Sequence, residues 1–194
     1  MNTRFSVLFL VLVLFLGLGC ANDNQTDIPE FDRSAFLEFY AQEMFKPRMN
    51  DLEVSFGNLH EEILKLTQTP STAQLTTARQ SYREAMLKWQ SANFLNFGPG
   101  AKEGLRLTLQ EELVLWPLDL EVIETKVATQ EFNFDDSFRN SRGLLAIEYL
   151  LYPTLDVESA LDSLKAPRLA YLQGVSTKLK AQVEIFNAAW QGTY

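Results

Sequence analysis

From Phe31 onward, apolar residues return every three or four positions, the spacing of a helix that buries one face and wets the other. Met49, Leu52, Phe56, Leu59, Ile63 and Leu66 form one such stripe, entered just after Pro47, which suits the first turn of a helix because its missing N–H would have no partner there. A second stripe, Leu75, Ala78, Tyr82, Met86 and Trp89, follows Ser71, with Gln74 three residues later as a capping box. The third runs through Leu169, Leu172, Val175, Leu179, Val183, Phe186 and Trp190, beginning after Pro167. Residues 142–152 (RGLLAIEYLLY) are so apolar that they leave little room for a solvent face, which predicts a short central helix. Asn96, Phe97, Gly98, Pro99 and Gly100 break the chain into a loop, and Trp116-Pro117 opens a further helical stretch through Glu121, Ile123 and Val127. Strand signals are almost absent. Each stripe must be covered by another, so the expected fold is all-α, an up-and-down four-helix bundle with short accessory helices.

The two ends of the chain change this picture. Residues 1–20, MNTRFSVLFLVLVLFLGLGC, have a short basic start at Arg4, an apolar run and small residues before a cysteine, which by length and flanks is an export signal and too short for a comfortable membrane span. Cys20 is the one cysteine of 194 residues, so an intrachain disulfide is impossible. Preceded by Gly17, Leu18 and Gly19, it resembles a bacterial lipobox, with Gly17 standing where leucine is usual. The resemblance implies acylation of Cys20 and a chain anchored to a bacterial membrane, facing the periplasm or cell surface. Residues 21–31 are polar and suit a flexible tether, leaving 32–194 as the helical domain. Without residues 1–20 the chain carries 16 basic against 25 acidic residues, a net of −9. That balance argues against nucleic acid, which is held by clustered Lys and Arg that displace counterions.

Three local patterns then coincide in order: Phe97-Gly98-Pro99 after a Trp-containing helix, Trp116-Pro117-Leu118-Asp119, and Gly143 through Leu151 (GLLAIEYLL). Together they resemble the imelysin family of bacterial envelope proteins, also described as imelysin-like peptidases. The last is the most specific, because the family carries Gly-x-His-x-x-Glu there. The resemblance covers about residues 32–194 and corresponds to the first of two helical bundles. It implies a helical fold and an association with iron or metal acquisition, or with metallopeptidase activity. It also implies a metal site in which His and Glu, three apart on one helix face, share an ion. Here Leu145 stands at the histidine position and Glu148 alone remains.

One carboxylate cannot hold zinc, which takes three or four protein ligands. A divalent or ferric cation could use Glu148 weakly, together with other oxygen ligands. Two readings of Glu148 stay open: a buried carboxylate that accepts hydrogen bonds and fixes helix register, or the remnant of a ligand site. His60, the one imidazole, precedes Glu61 and Glu62, and three consecutive side chains fan around a helix, so a solvated surface histidine is expected. The loop of Phe97, Gly98 and Pro99 either lines a pocket or is a turn packed by Phe97. Nucleophilic catalysis lacks a base, since Cys20 is committed to the anchor and a single histidine serves no evident nucleophile. The functional expectation is a non-catalytic metal- or iron-associated binding module. A metallopeptidase-like enzyme and a scaffolding half-protein remain as alternatives. A chain resembling one bundle of two is also expected to pair with a second helical bundle or with its own copy.

Overall fold

The computed structural model describes residues 31–102 and 107–193, and Ser34–Tyr194 forms one compact unit. Its helices are α1 (Arg33–Tyr40), α2 (Lys46–Gln68), α3 (Thr72–Ala92), α4 (Leu109–Leu113), α5 (Leu120–Thr129), α6 (Gly143–Leu151), α7 (Val157–Ser163) and α8 (Ala166–Thr193). The fold is all-α, as the periodicity requires. One small exception is an antiparallel pair, β1 (Ala101–Lys102) and β2 (Leu107–Thr108), with Ala101 opposite Thr108. Two residues per strand give no periodicity to read, which is why the sequence is silent there.

The long helices are those the stripes predict. α2 and α3 are joined by a three-residue turn in which Ser71 Oγ accepts from Gln74 N–H at 3.2 Å. α8 runs antiparallel to α2: Asn187 Nδ2 donates to Asn50 Oδ1 at 2.9 Å near one end, and His60 meets Ser176 further along. Every member of the α2 and α8 stripes is buried, and so are the α3 positions except Met86, which is half-buried against the same core. Each fully buried Leu, Ile or Phe contributes roughly 1.5–3 kcal/mol relative to exposure, so these stripes hold the fold.

α2 does not begin the helical run. The chain is already helical from Arg33 and passes through a π-helical turn, Ala41–Phe45, in which Lys46 N–H reaches Ala41 O. Pro47 is the physical reason: its ring lacks an N–H and clashes with the carbonyl four residues back, and a widened turn makes room for it.

α6 lies against α3 and α8 with Leu144, Ala146, Ile147, Leu150 and Leu151 buried. Its first residue, Gly143, has φ +85°, and a Cβ there would stand 2.7 Å from the Leu113 carbonyl oxygen of α4. Glycine is therefore required twice over, by conformation and by space. Just before it, Arg142 donates to Glu112 Oε2 at 2.7 Å, and Arg139 Nε lies 2.8 Å from Glu112 Oε1. The Glu112 and Arg142 side chains are only 1% and 2% exposed. Removing one member of so buried a pair costs roughly 3–5 kcal/mol, because a desolvated charge is left behind. Tyr171 OH of α8 donates to Ser141 O at 2.6 Å and ties the same corner to the long helix.

Gly143→Ala should therefore lower stability in urea denaturation by at least about 1–3 kcal/mol, the range for a strained left-handed residue. Gly57→Ala, in the middle of α2 with open space at the Cβ position, should raise it by about 0.5–1 kcal/mol. Equal effects at the two glycines would refute the close approach of α4 and α6.

Candidate functional site around Glu148

α6 turns Gly143, Leu144, Ala146, Ile147, Leu150 and Leu151 inward and leaves Leu145, Glu148 and Tyr149 on its outer side. The expected central helix thus has a solvent face after all. Glu148 is exposed and not the desolvated carboxylate that its apolar neighbours suggest, because the inward arc is centred on the Ile147 side and Glu148 lies beyond its edge. Leu145 is half-buried.

Glu148 is engaged across the helix boundary. Tyr82 OH, from the buried stripe of α3, donates to Glu148 Oε2 at 3.0 Å. Burial first, then the negative charge of Glu148 and the hydrogen bond to it, push the Tyr82 phenol far above its ordinary range, so it stays a donor at any physiological pH. The Tyr152 ring lies 5.9 Å from that of Tyr82, and its hydroxyl donates to Arg79 O at 3.1 Å while accepting from Arg83 at 3.2 Å. On the other side of Leu145, Tyr149 OH donates to Glu124 Oε1 at 2.7 Å, and Arg168 grips both oxygens of Glu124 at 2.9 and 2.8 Å. Burial opposes ionisation of Glu124, but the hydrogen bonds from Tyr149 and Arg168 and the arginine's charge outweigh it and hold this carboxyl below its usual value. On the outer side of α6, Leu145 thus lies between Glu148 and Tyr149, each engaged in a tyrosine–carboxylate hydrogen bond.

Arg79 fixes the far end of α6. Its guanidinium donates to Leu151 O, Thr154 O and Leu155 O at 2.8, 2.8 and 3.2 Å and stacks 4.6 Å over the Tyr152 ring. A cation on the last carbonyls of a helix satisfies acceptors that have no intrahelical partner and meets the negative end of the dipole. The sequence carried a signal for this: Arg79 sits at helical spacing between Leu75 and Tyr82, where a long charged residue needs a buried partner.

The other sequence candidates fall elsewhere. His60 is not a solvated surface group: it is half-buried against α8, with Nδ1 at 2.9 Å from Ser176 Oγ. That hydroxyl donates to Gln173 O at 2.9 Å, so Nδ1 carries the proton and donates to it. The serine proton points to backbone and not to an imidazole base, which is no nucleophile arrangement. Phe97 packs edge-on against Phe45 and Trp190, with centroids 5.8 and 5.3 Å apart. Gly98 has φ +50°, and a Cβ on Gly100 would lie 1.9 Å from Leu95 O, so the loop holds its shape through glycine and an aromatic cluster that also takes in Phe94. Trp89 and Trp190 are core residues. Cys20, the export signal and most of the tether lie outside the described residues.

These elements define an all-α bundle with a short, Gly-led apolar helix at its centre, and comparison with known proteins gives its family. The family model for imelysin (peptidase M75) matches residues 46–194, and the chain belongs to that family. It is 26% identical over 174 residues to iron-regulated protein A of Synechococcus elongatus, covering 84% of this chain and 46% of that protein. A crystal structure described as an iron-regulated protein A precursor from Parabacteroides distasonis superposes with a TM-score of 0.66 at 22% identity, over 79% of this chain and 44% of that one. An imelysin-like protein from Psychrobacter arcticum gives 0.64 at 23% identity, over 81% and 49%. At these identities the two structures show a shared fold. The chain spans a little under half the length of each of these relatives.

The metal that the family's His-x-x-Glu pattern implies does not fit the residues in place. Leu145 offers no ligand atom, Glu148 accepts from Tyr82, and among the described residues no three His, Cys, Asp or Glu side chains come together in a group that could hold an ion.

Burial, followed by the nearby Lys180 charge, lowers the His60 pKa from 6.5, against smaller opposing effects of Glu61 and Glu184. A histidine kept neutral in the fold contributes stability above its unfolded value, and that stability is lost as pH falls through 6.5 and below, where the unfolded chain takes up the proton more readily. Urea midpoints of the wild type should therefore fall between about pH 7 and 5 more steeply than those of His60→Gln. Parallel profiles would contradict this burial.

Proposed function

We propose that this imelysin-family chain is a lipid-anchored, non-catalytic binding module of the bacterial cell envelope, working in iron or metal acquisition and not in peptide hydrolysis. The observation that carries the reading is the outer face of α6. Its family histidine position is Leu145, and Glu148 is hydrogen-bonded to Tyr82 instead of standing open beside a nitrogen ligand. Zinc hydrolysis needs three protein ligands and an open position for water, and α6 supplies one carboxylate. The name of the Synechococcus relative, an iron-regulated protein, supports the iron association. The export signal and Cys20 support the anchor, since a diacylated cysteine holds a protein stably where one chain does not. Among the described residues no helix is long and apolar enough to cross a membrane. The acidic balance favours cations in general without selecting one.

Two measurements test this. Calorimetric titration of the purified chain with zinc, ferrous and ferric iron should give no stoichiometric site tighter than micromolar. A sub-micromolar site that disappears in Glu148→Ala would overturn the claim that Leu145 leaves this face without a metal site and would reopen the metallopeptidase reading. In cells, Cys20→Ser should move the protein from the membrane to the soluble envelope fraction, and unchanged retention would remove the anchor from the account.

A further inference from the structure

α1 is an eight-residue helix with no buried residue, yet it carries Phe36, Leu37 and Phe39 at 42%, 60% and 58% exposure. At 100° per residue these three and Tyr40 occupy one side of the helix, with Glu38 on the opposite side. The apolar side continues onto the bundle. Tyr40 packs on Phe36 and Phe39 and reaches Phe45, and Phe45 joins Phe94 and Phe97, both also exposed, above buried Trp190. One end of the molecule therefore presents a run of aromatic rings braced from below. Its charge differs from the rest of the acidic chain: residues 31–48 balance Arg33, Lys46 and Arg48 against Asp32, Glu38 and Glu43.

We propose that this face is a second membrane contact, with α1 lying in the headgroup region of the same bilayer that holds the acyl chains on Cys20. The proposal rests on reading Cys20 as the anchor. Twelve residues, 21–32, separate Cys20 from Arg33, a tether of at most about 45 Å, so α1 is the described helix nearest in sequence to the lipid and meets it at high effective concentration. A short amphipathic helix with large apolar side chains on one side and polar groups on the other is a form that binds in the interfacial plane. A stretch with balanced charge spares this face the repulsion from anionic headgroups that the net −9 of the chain as a whole implies. The bracing rings keep the face from collapsing onto the bundle. The contact sets the orientation of the molecule, with the α1 end down.

The test uses the full processed chain, in which acylation consumes the native thiol and leaves an introduced cysteine as the only one to label. A nitroxide at Leu37→Cys and a reference nitroxide at exposed Gln68→Cys, at the opposite end of α2 from Phe45, are compared on vesicles of phosphatidylethanolamine and phosphatidylglycerol, reading collision with oxygen against collision with a water-soluble nickel chelate. The expected oxygen-to-nickel ratio is several-fold higher at position 37 than at 68, and the difference disappears in Phe36→Asp/Phe39→Asp. Equal ratios at 37 and 68 would overturn the proposal. So would protection of position 37 without lipid accompanied by spin–spin broadening, which would assign the face to a second copy. The mass of the N-terminal peptide reports acylation separately. An acylated chain with equal ratios leaves the anchor standing and removes α1 from the membrane. For a chain found unacylated, the Cys20→Ser/Leu37→Cys protein with excess vesicles decides the α1 contact alone, a raised ratio supporting it and an equal ratio overturning it.

Discussion

The contact on which the rest of the site depends is the meeting of α4 with the start of α6. The Leu113 carbonyl occupies the space that a side chain at residue 143 would need, and Gly143 accepts this with a left-handed backbone. Directly beside it, Glu112 is held by Arg142 and Arg139 in a region closed to water. A buried ion pair is weak evidence for net stability, since desolvation offsets much of its attraction, but it tolerates few alternative geometries. Together these contacts set where α6 begins and how it is rotated. Because residues 145, 148 and 149 follow at fixed angular steps, their outward placement is decided at residue 143.

The same rotation explains how the chemistry around α6 is spent. Glu148 emerges where α3 presents Tyr82, and Tyr149 emerges where α5 and α8 present Glu124 and Arg168. Each carboxylate is answered by a phenol held above its ordinary pKa, Tyr82 by burial first and Tyr149 by its hydrogen bond to Glu124 first. Leu145 lies between the two pairs and can only pack. An imidazole there would stand one helical turn from Glu148, whereas the leucine offers no ligand atom.

Much of the fold was legible in the sequence because burial in long helices leaves a period that survives any tertiary detail. The stripes from Met49 to Leu66 and from Leu169 to Trp190 are buried without exception. What periodicity could not give was the outcome of competition between faces. Glu148 stands among leucines in the sequence, and its exposure follows from which arc of a nine-residue helix the neighbours happen to cover. His60 fails in the opposite direction: its flanking glutamates suggest solvent, but α8 closes over it and supplies Ser176 from 116 residues away. The Glu112 ion pair and the Arg79 clamp are likewise long-range, and charged residues at apolar spacing were their one trace in the sequence.

The central claim is that Glu148 is committed to Tyr82 across the α3–α6 boundary, and a double-mutant cycle with Tyr82→Phe and Glu148→Gln in urea denaturation at neutral pH tests it most directly. A hydrogen bond to a charged group predicts a coupling of about 0.5–3 kcal/mol. Strictly additive effects, with each single substitution costing the same whether or not the other is present, would contradict it.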